Sequence, residues 1–175
     1  MNYLSTLNYG YRILKSNNII SHKLDSELLL ASALNKTREE VLTNLNSTLD
    51  KKKFYKFKKL LLRRGQKEPI AYIFEKKDFW KQSFFVNKNV LIPRPETEII
   101  VEEVLKLTDD NSSKRFLDVG TGSGCVILSI IKERPNSFGT AIDICKKAIK
   151  IASYNAKMHH LENKIKFINI NIDKF

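Results

Sequence analysis

The stretch DVGTGSGC, residues 118–125, holds three of the chain's six glycines and stands between two apolar runs, RFLDV and CVILSIIKE. Such a concentration of backbone freedom between a β-branched run and a helical pattern reads as a tight turn from a strand into a helix. The pattern then repeats: SFGTAID reads as a strand, KKAIKIASYNAKM as a helix and KIKFINI as a third strand. Alternating strands and helices imply parallel βαβ units with right-handed crossovers. The carboxyl half is therefore predicted as the first half of an α/β, doubly wound, Rossmann-like sheet, with RFLDV as a buried strand.

A loop that leaves a parallel strand and opens a helix sits at the carboxyl end of the sheet, where open α/β folds bind ligands. Gly120, Gly122 and Gly124 let the chain turn sharply and let a ligand approach the backbone, with Thr121 and Ser123 between them. Their G-x-G-x-G spacing departs from the dinucleotide fingerprint, and no Gly-Lys-Ser/Thr follows, so a Walker-type phosphate loop is excluded. On its own the loop is equally a tight turn.

Two carboxylates add to it. Asp118 ends the first strand, and Asp143 ends the second, where adjacent parallel strands would deliver an acid to the two hydroxyls of a ribose. Alone, Asp143 reads first as a cap for the helix that follows it. Together with Asp118 and the glycines it favours a ligand, and Asp173, after the third strand, is placed to accept from an adenine amine or to be a plain surface residue. A ligand with a ribose, an adenine and an amino-acid tail, and no phosphate, describes S-adenosylmethionine. Asp118 would then serve its cationic methionine part.

The amino-terminal 65 residues read as helices. Leu24, Leu28 and Ala31 are predicted to line one face of SHKLDSELLLASAL, with Ser21 capping its start, and Thr37 with Glu40 forms a capping box. Gly65 is placed as a helix stop and Pro69 forbids continuation. FWKQSFFVNKNVLIP then gives a hairpin pattern broken at NKN, and Ile100, Val101, Val104 and Leu105 return to helical spacing until NSSK breaks it. The expected domains are a helical bundle over residues 1–67, a β-hairpin linker over 68–95 and a partial Rossmann-like domain over 96–175.

No run of roughly 18 apolar residues exists, and the amino terminus lacks a signal-peptide pattern, so a cytoplasmic protein away from membranes is expected. Cys125 and Cys145 lack metal-ligand spacing, and no metal site is expected. The net charge of +12 is densest in KKKFYKFKKLLLRRG, residues 51–65, where Phe54, Phe57 and Leu61 recur at helical spacing. That segment reads first as a solvated helix face and second as a surface meeting an RNA-bearing partner.

The stretches RRGQKEPIAYI, FW at Phe79 and Trp80, FFVNKNVLIPRPETE and DVGTGSGCVILSI resemble the HemK-type release factor glutamine N5-methyltransferases, with LIPRPETE the most specific. The likeness runs over nearly the whole chain. It implies methyl transfer from S-adenosylmethionine to the glutamine of the Gly-Gly-Gln motif of peptide chain release factors, with the helical domain helping to dock that partner and nucleic acid met only indirectly. Carried over, Gly120 to Gly124 would cradle the methionine part, Asp143 would bind the ribose, Asp173 would face the adenine, and RPETE would close one side of the pocket. Phe74 and Glu75 stand where the family shows Thr-Gly, and Lys174 replaces an aromatic beside the adenine.

In this family an Asn-Pro-Pro-Tyr segment aligns the acceptor amide with the methyl group. Here the prolines are Pro69, Pro93, Pro95 and Pro135, and none follows an asparagine. No catalytic residue is therefore assigned. The 175-residue chain is expected to leave RFLDV as an open edge, to bind the cofactor weakly and not to turn over alone, and to be a monomer when complete. The alternatives are an amino-methyltransferase of nucleic acid and a non-catalytic release-factor-binding fragment.

Overall fold

The structure, a computed structural model, describes residues 1–111 and 113–175, which separate into two compact units, Met1–Ile73 and Phe74–Phe175. The expected NSSK break includes Ser112, which lies outside the described residues.

The first unit is helical. α1 (Tyr3–Ser16) starts at a capping box in which Asn2 accepts the Ser5 N–H at 2.9 Å, and it buries Tyr3, Leu7, Gly10 and Leu14 along one stripe. α2 (His22–Leu34) ends on Asn35 in the left-handed conformation, and α3 (Arg38–Thr43) has the capping box expected of Thr37 and Glu40. α4 (Lys51–Gly65) is capped by Asp50 and buries Phe57 and Leu61, and α5 (Ile70–Ile73) closes the unit. A side chain at Gly10 would meet the Phe57 ring at 2.8 Å, so glycine is what lets α1 and α4 approach.

Three local readings need correction here. Ser21 does not cap α2: its hydroxyl donates to Asp25 Oδ2 at 2.7 Å. Leu24 is exposed, while Leu29 and Leu30 are wholly buried. The cause is that α2 packs against α1, α3 and α4 at once, so much of its circumference is buried and no single apolar stripe describes it. The acids drawn inside by this arrangement are paired: Asp25 with Arg64 at 2.6 Å, and Glu27 with Arg38 at 2.7 Å and the Tyr11 hydroxyl at 2.8 Å. At the end of α4 the residue in the left-handed region is Lys67, two beyond Gly65.

The second unit opens with an antiparallel hairpin, β1 (Lys76–Phe79) and β2 (Gln82–Phe85). Its turn lies at Trp80 and Lys81, not at NKN as the sequence suggested. Trp80 adopts a φ of 53° there, and its backbone N–H and ring N–H donate to Glu98 and Glu133 at 2.7 and 2.8 Å. These partners, far along the chain, fix the turn; the Asn87 side chain makes a second bend by accepting the Asn89 N–H at 2.9 Å. Phe79 and Phe84 are buried edge to face at 6.2 Å and join the core of this unit.

After a 3-10 turn at Pro95–Thr97 come α6 (Glu98–Lys106), β3 (Arg115–Val119), α7 (Cys125–Glu133), β4 (Phe138–Asp143), α8 (Lys146–Met158) and β5 (Ile165–Asn169). The three strands form a parallel sheet in the order β3-β4-β5, a partial Rossmann-like fold. Ile127, Leu128 and Ile131 of α7 and Ala152 and Ala156 of α8 pack on it with Ala141. β3 is an edge strand, and in place of the burial expected of RFLDV, Leu117 and Val119 are about half exposed. No helix among the described residues is long and apolar enough to cross a membrane.

Candidate functional site

The register of the sheet sets Asp118 beside Ala141 and Asp143 beside Asn169, so both acids arrive at the carboxyl ends of neighbouring strands. Between them the glycine loop turns with φ values of 74°, 55° and 81° at Gly120, Gly122 and Gly124. Positive φ at alternate residues is available at little cost only to glycine, which explains the G-x-G-x-G spacing. The three glycines nevertheless do different things. A side chain at Gly124 would meet Leu128 at 3.0 Å and Ala152 at 3.2 Å, so this glycine lets the loop settle onto α7 and α8. At Gly120 it would meet nothing within 4 Å, so that residue faces open space.

The backbone closes the loop onto β4. Gly120 N–H and Thr121 N–H both donate to the Ile142 carbonyl, at 2.9 and 3.0 Å. Asp143 joins the loop through its side chain: Oδ2 accepts the Gly122 N–H at 3.0 Å, and Oδ1 accepts the Cys145 N–H at 2.8 Å at the start of α8. Shaping the turn into α8 and holding the loop are thus one carboxylate's work, although the cap position itself is Cys145 and receives no side-chain cap. Each oxygen keeps acceptor capacity for a further donor.

A cavity of about 190 Å³ opens beside this point, lined by Val119, Gly120, Ile142, Asp143, Ile144, Ile170, Asn171 and Ile172. A larger hollow of about 480 Å³, lined by Arg115, Phe138 and Lys164 among others, includes the opposite strand ends. Ligands of open α/β sheets bind at the carboxyl ends, so the smaller cavity is the candidate site.

Of the predicted residues, Gly120 and Asp143 line the cavity. Thr121 and Ser123 are buried behind it, where the Thr121 hydroxyl donates to Asp118 Oδ2 at 2.7 Å. Burial pushes the Asp118 carboxyl above its ordinary value, while the Thr121 hydroxyl opposes the shift. Cys125 is buried next to it, and loss of solvent raises its thiol to about 11, which makes it a packing group and no nucleophile. Asp173 is exposed one residue beyond the cavity lining, and its N–H donates to Asn171 Oδ1 at 3.2 Å.

Two asparagines escaped the sequence reading. Asn169 donates from one amide nitrogen to the carbonyls of Asp143 and Ile144, at 2.8 and 2.9 Å, and so holds the chain as it leaves β4. Asn155 is wholly buried and donates to the Ser123 carbonyl at 2.8 Å, which fixes the glycine loop from behind. The signal for Asn155 was available: it continues the spacing of Ala148, Ile151 and Ala152, a polar residue on the apolar face of α8.

Residues 5–74 match the PrmC N-terminal domain, and residues 110–175 match a methyltransferase domain. The release factor glutamine methyltransferase of Caulobacter vibrioides is 40% identical over 143 residues, which cover 82% of this chain and 50% of that protein. That of Coxiella burnetii is 42% identical over 141 residues, covering 81% and 51%. A bifunctional methyltransferase of Rickettsia bellii is 36% identical over 191 residues, covering 94% of this chain and 34% of that protein. The chain spans about half the length of the release factor glutamine methyltransferases it matches.

Proposed function

Because the chain belongs to the family of release factor glutamine methyltransferases, we propose that the whole protein methylates the glutamine side-chain nitrogen of the Gly-Gly-Gln motif in peptide chain release factors. S-adenosylmethionine is the donor in this reading, and the site residues present fit it. The open side of Gly120 leaves room for close approach to the backbone, and the cavity wall carries one acceptor carboxylate and otherwise mainly aliphatic side chains.

Asp143 would accept the ribose hydroxyls with the lone pairs that Gly122 and Cys145 leave free, and Asp118 would balance the ammonium of the methionine part. Asp173 would reach the adenine. When bound, the cofactor supplies an electrophilic methyl group on its sulfonium; the chain's residues hold the loop in shape, orient the donor and exclude water from it. The Asn-Pro-Pro-Tyr segment that would align the acceptor is not among these residues, so their share in the reaction is the donor side. Residues 1–67 and the segment 68–95 would dock the release factor, in the cytoplasm where such factors act, with the protein working as a monomer.

The observation that carries the reading is the Asp143 carboxylate turned into the glycine loop at 3.0 Å from Gly122, on the wall of the cavity. Incubating the whole protein with methyl-labelled S-adenosylmethionine and a release factor tests it. Label is expected in the Gly-Gly-Gln peptide and not in a factor whose motif glutamine is alanine. Asp143→Ala should abolish cofactor binding. Label in duplex DNA with none in the release factor would give the acceptor to nucleic acid, and no binding at all would remove the donor.

A further inference from the structure

One face of the helical unit carries no residue to which that reading gives a role of its own. Around α4, Lys52, Tyr55, Lys59 and Leu62 fall on the side away from the buried Phe57 and Leu61, and the exposed Lys51 and Lys58 flank them, one turn from Tyr55 on either side. Tyr55 is 61% and Leu62 65% exposed. α4 contains no acidic residue, and the acid that precedes it, Asp50, is committed to the helix start, where its carboxylate accepts the Lys53 N–H at 2.8 Å. A hollow of about 470 Å³ runs from this face to Ala33 and Asn35 at the end of α2.

The lysines of α4 divide into two sets. Lys53 and Lys56 turn inward and cap α2, donating to the carbonyls of Leu34 and Ser32 at 3.1 Å each, at the negative end of that helix. Lys51, Lys52, Lys58 and Lys59 have no carboxylate partner among the described residues. Lys59 lies 4.7 Å from the centre of the Tyr55 ring, so the exposed aromatic is set among cations.

We propose that this face binds single-stranded RNA, with the four lysines on the phosphates and Tyr55 as a stacking platform. Lysine is depleted from protein interfaces because its ammonium is strongly hydrated. Against phosphates the same ammonium gains from counterion release. An exposed ring among cations is the arrangement that suits unpaired bases, whereas an acidic protein surface offers nothing to stack on it. The net charge of +12 adds attraction over a longer range. The inference is independent of the methyltransferase reading.

Fluorescence anisotropy of a labelled, unstructured single-stranded RNA, measured against salt with the whole protein, tests it. Four phosphate contacts give a slope of log affinity against log salt near −2.8, at about −0.7 per contact. The variant K51Q/K52Q/K58Q/K59Q should lose that slope and at least about tenfold in affinity at low salt. K88Q/K132Q/K157Q/K166Q, with the same change in charge on exposed lysines of the other unit, should keep most of both. Tyr55→Ala should weaken single-stranded RNA about tenfold and leave duplex RNA unchanged. Equal losses in the two quadruple variants, or tighter binding of a labelled polyglutamate peptide than of RNA, would overturn the proposal. Should the first variant melt early by circular dichroism, Lys59→Gln alone decides, through a slope change of about 0.7.

Discussion

Asn155 and Phe85 are joined in both directions: the Phe85 N–H donates to Asn155 Oδ1 at 2.8 Å, and Asn155 Nδ2 donates back to the Phe85 carbonyl at 3.0 Å. The second hydrogen on that nitrogen goes to Ser123 at 2.8 Å. One buried side chain of α8 thus holds the hairpin and the glycine loop together. Asn155→Leu would leave three backbone groups without partners and is expected to cost about 3 kcal/mol, given 1–3 kcal/mol for each unsatisfied buried group less what relaxation and water recover. Urea denaturation measures the loss. An unchanged midpoint would mean that the clamp contributes nothing.

Gly124 and Gly120 separate two roles that share one motif. Both have positive φ, so alanine strains either backbone by about 1–2 kcal/mol. Only at position 124 does the added methyl also press on Leu128 and the Ala152 methyl group at 3.0 and 3.2 Å, and the packed core there adds about 1–3 kcal/mol. Gly124→Ala is therefore expected to be clearly the less stable of the two. Gly120→Ala should fold and lose cofactor affinity in a calorimetric titration, because its methyl would occupy the open side of the loop. Equal stability of the two variants would refute the division.

What the sequence made legible follows from how local each signal is. The glycine loop, the parallel strands and the Thr37 capping box are written in neighbouring residues, and the structure has them. The hairpin turn was misplaced because Trp80 is held by Glu98 and Glu133, partners that no local pattern reveals. Likewise Leu24 was read as core from a single-stripe assumption that fails for a helix packed against three others. Glu75, which departs from the family's Thr-Gly, takes a φ of 53°, the conformation that a glycine there would adopt freely. At the site, Asp143 was read as either cap or ligand because one strand end serves both. The structure gives it a turn onto the Cys145 N–H, one residue short of α8, and the bond to Gly122 together, while α8 starts at Cys145 with no side-chain cap.

Asp118 carries a pH signature. Burial raises its folded carboxyl above the ordinary value of 3.8, so the folded state holds that proton more tightly than the unfolded chain does. Its contribution to stability therefore grows as pH falls through the raised value toward 3.8, and it is least favourable, and flat, at neutral pH. Asp118→Asn keeps an acceptor for the Thr121 hydroxyl and removes the buried charge. Thermal melts should find it more stable than the parent at pH 7, with the acid-side gain gone. Its affinity for S-adenosylmethionine should fall about tenfold or more, through loss of a charge-assisted contact with the ammonium. A variant less stable at pH 7 would show that the charge is well solvated or paired.

The free edge of the sheet makes the last prediction. Among the described residues β3 pairs only with β4, and Leu117 and Val119, alternate residues on one side of it, are 49% and 52% exposed beside the half-exposed Phe138. An unpaired strand that is also apolar on one face is a template for a second chain, because joining it satisfies backbone groups and buries side chains in one step. The 175-residue chain should therefore self-associate as its concentration rises. Leu117→Lys with Val119→Lys should suppress this, since two ammonium groups would have to leave water at the contact, while changing stability by only about 0.5 kcal/mol at such exposed positions. Leu4→Lys with Ile20→Lys, at residues 44% and 99% exposed in the helical unit, is the control matched in charge and should leave association intact. Light scattering against concentration distinguishes the two, and equal association of both variants would place the sticky surface away from β3.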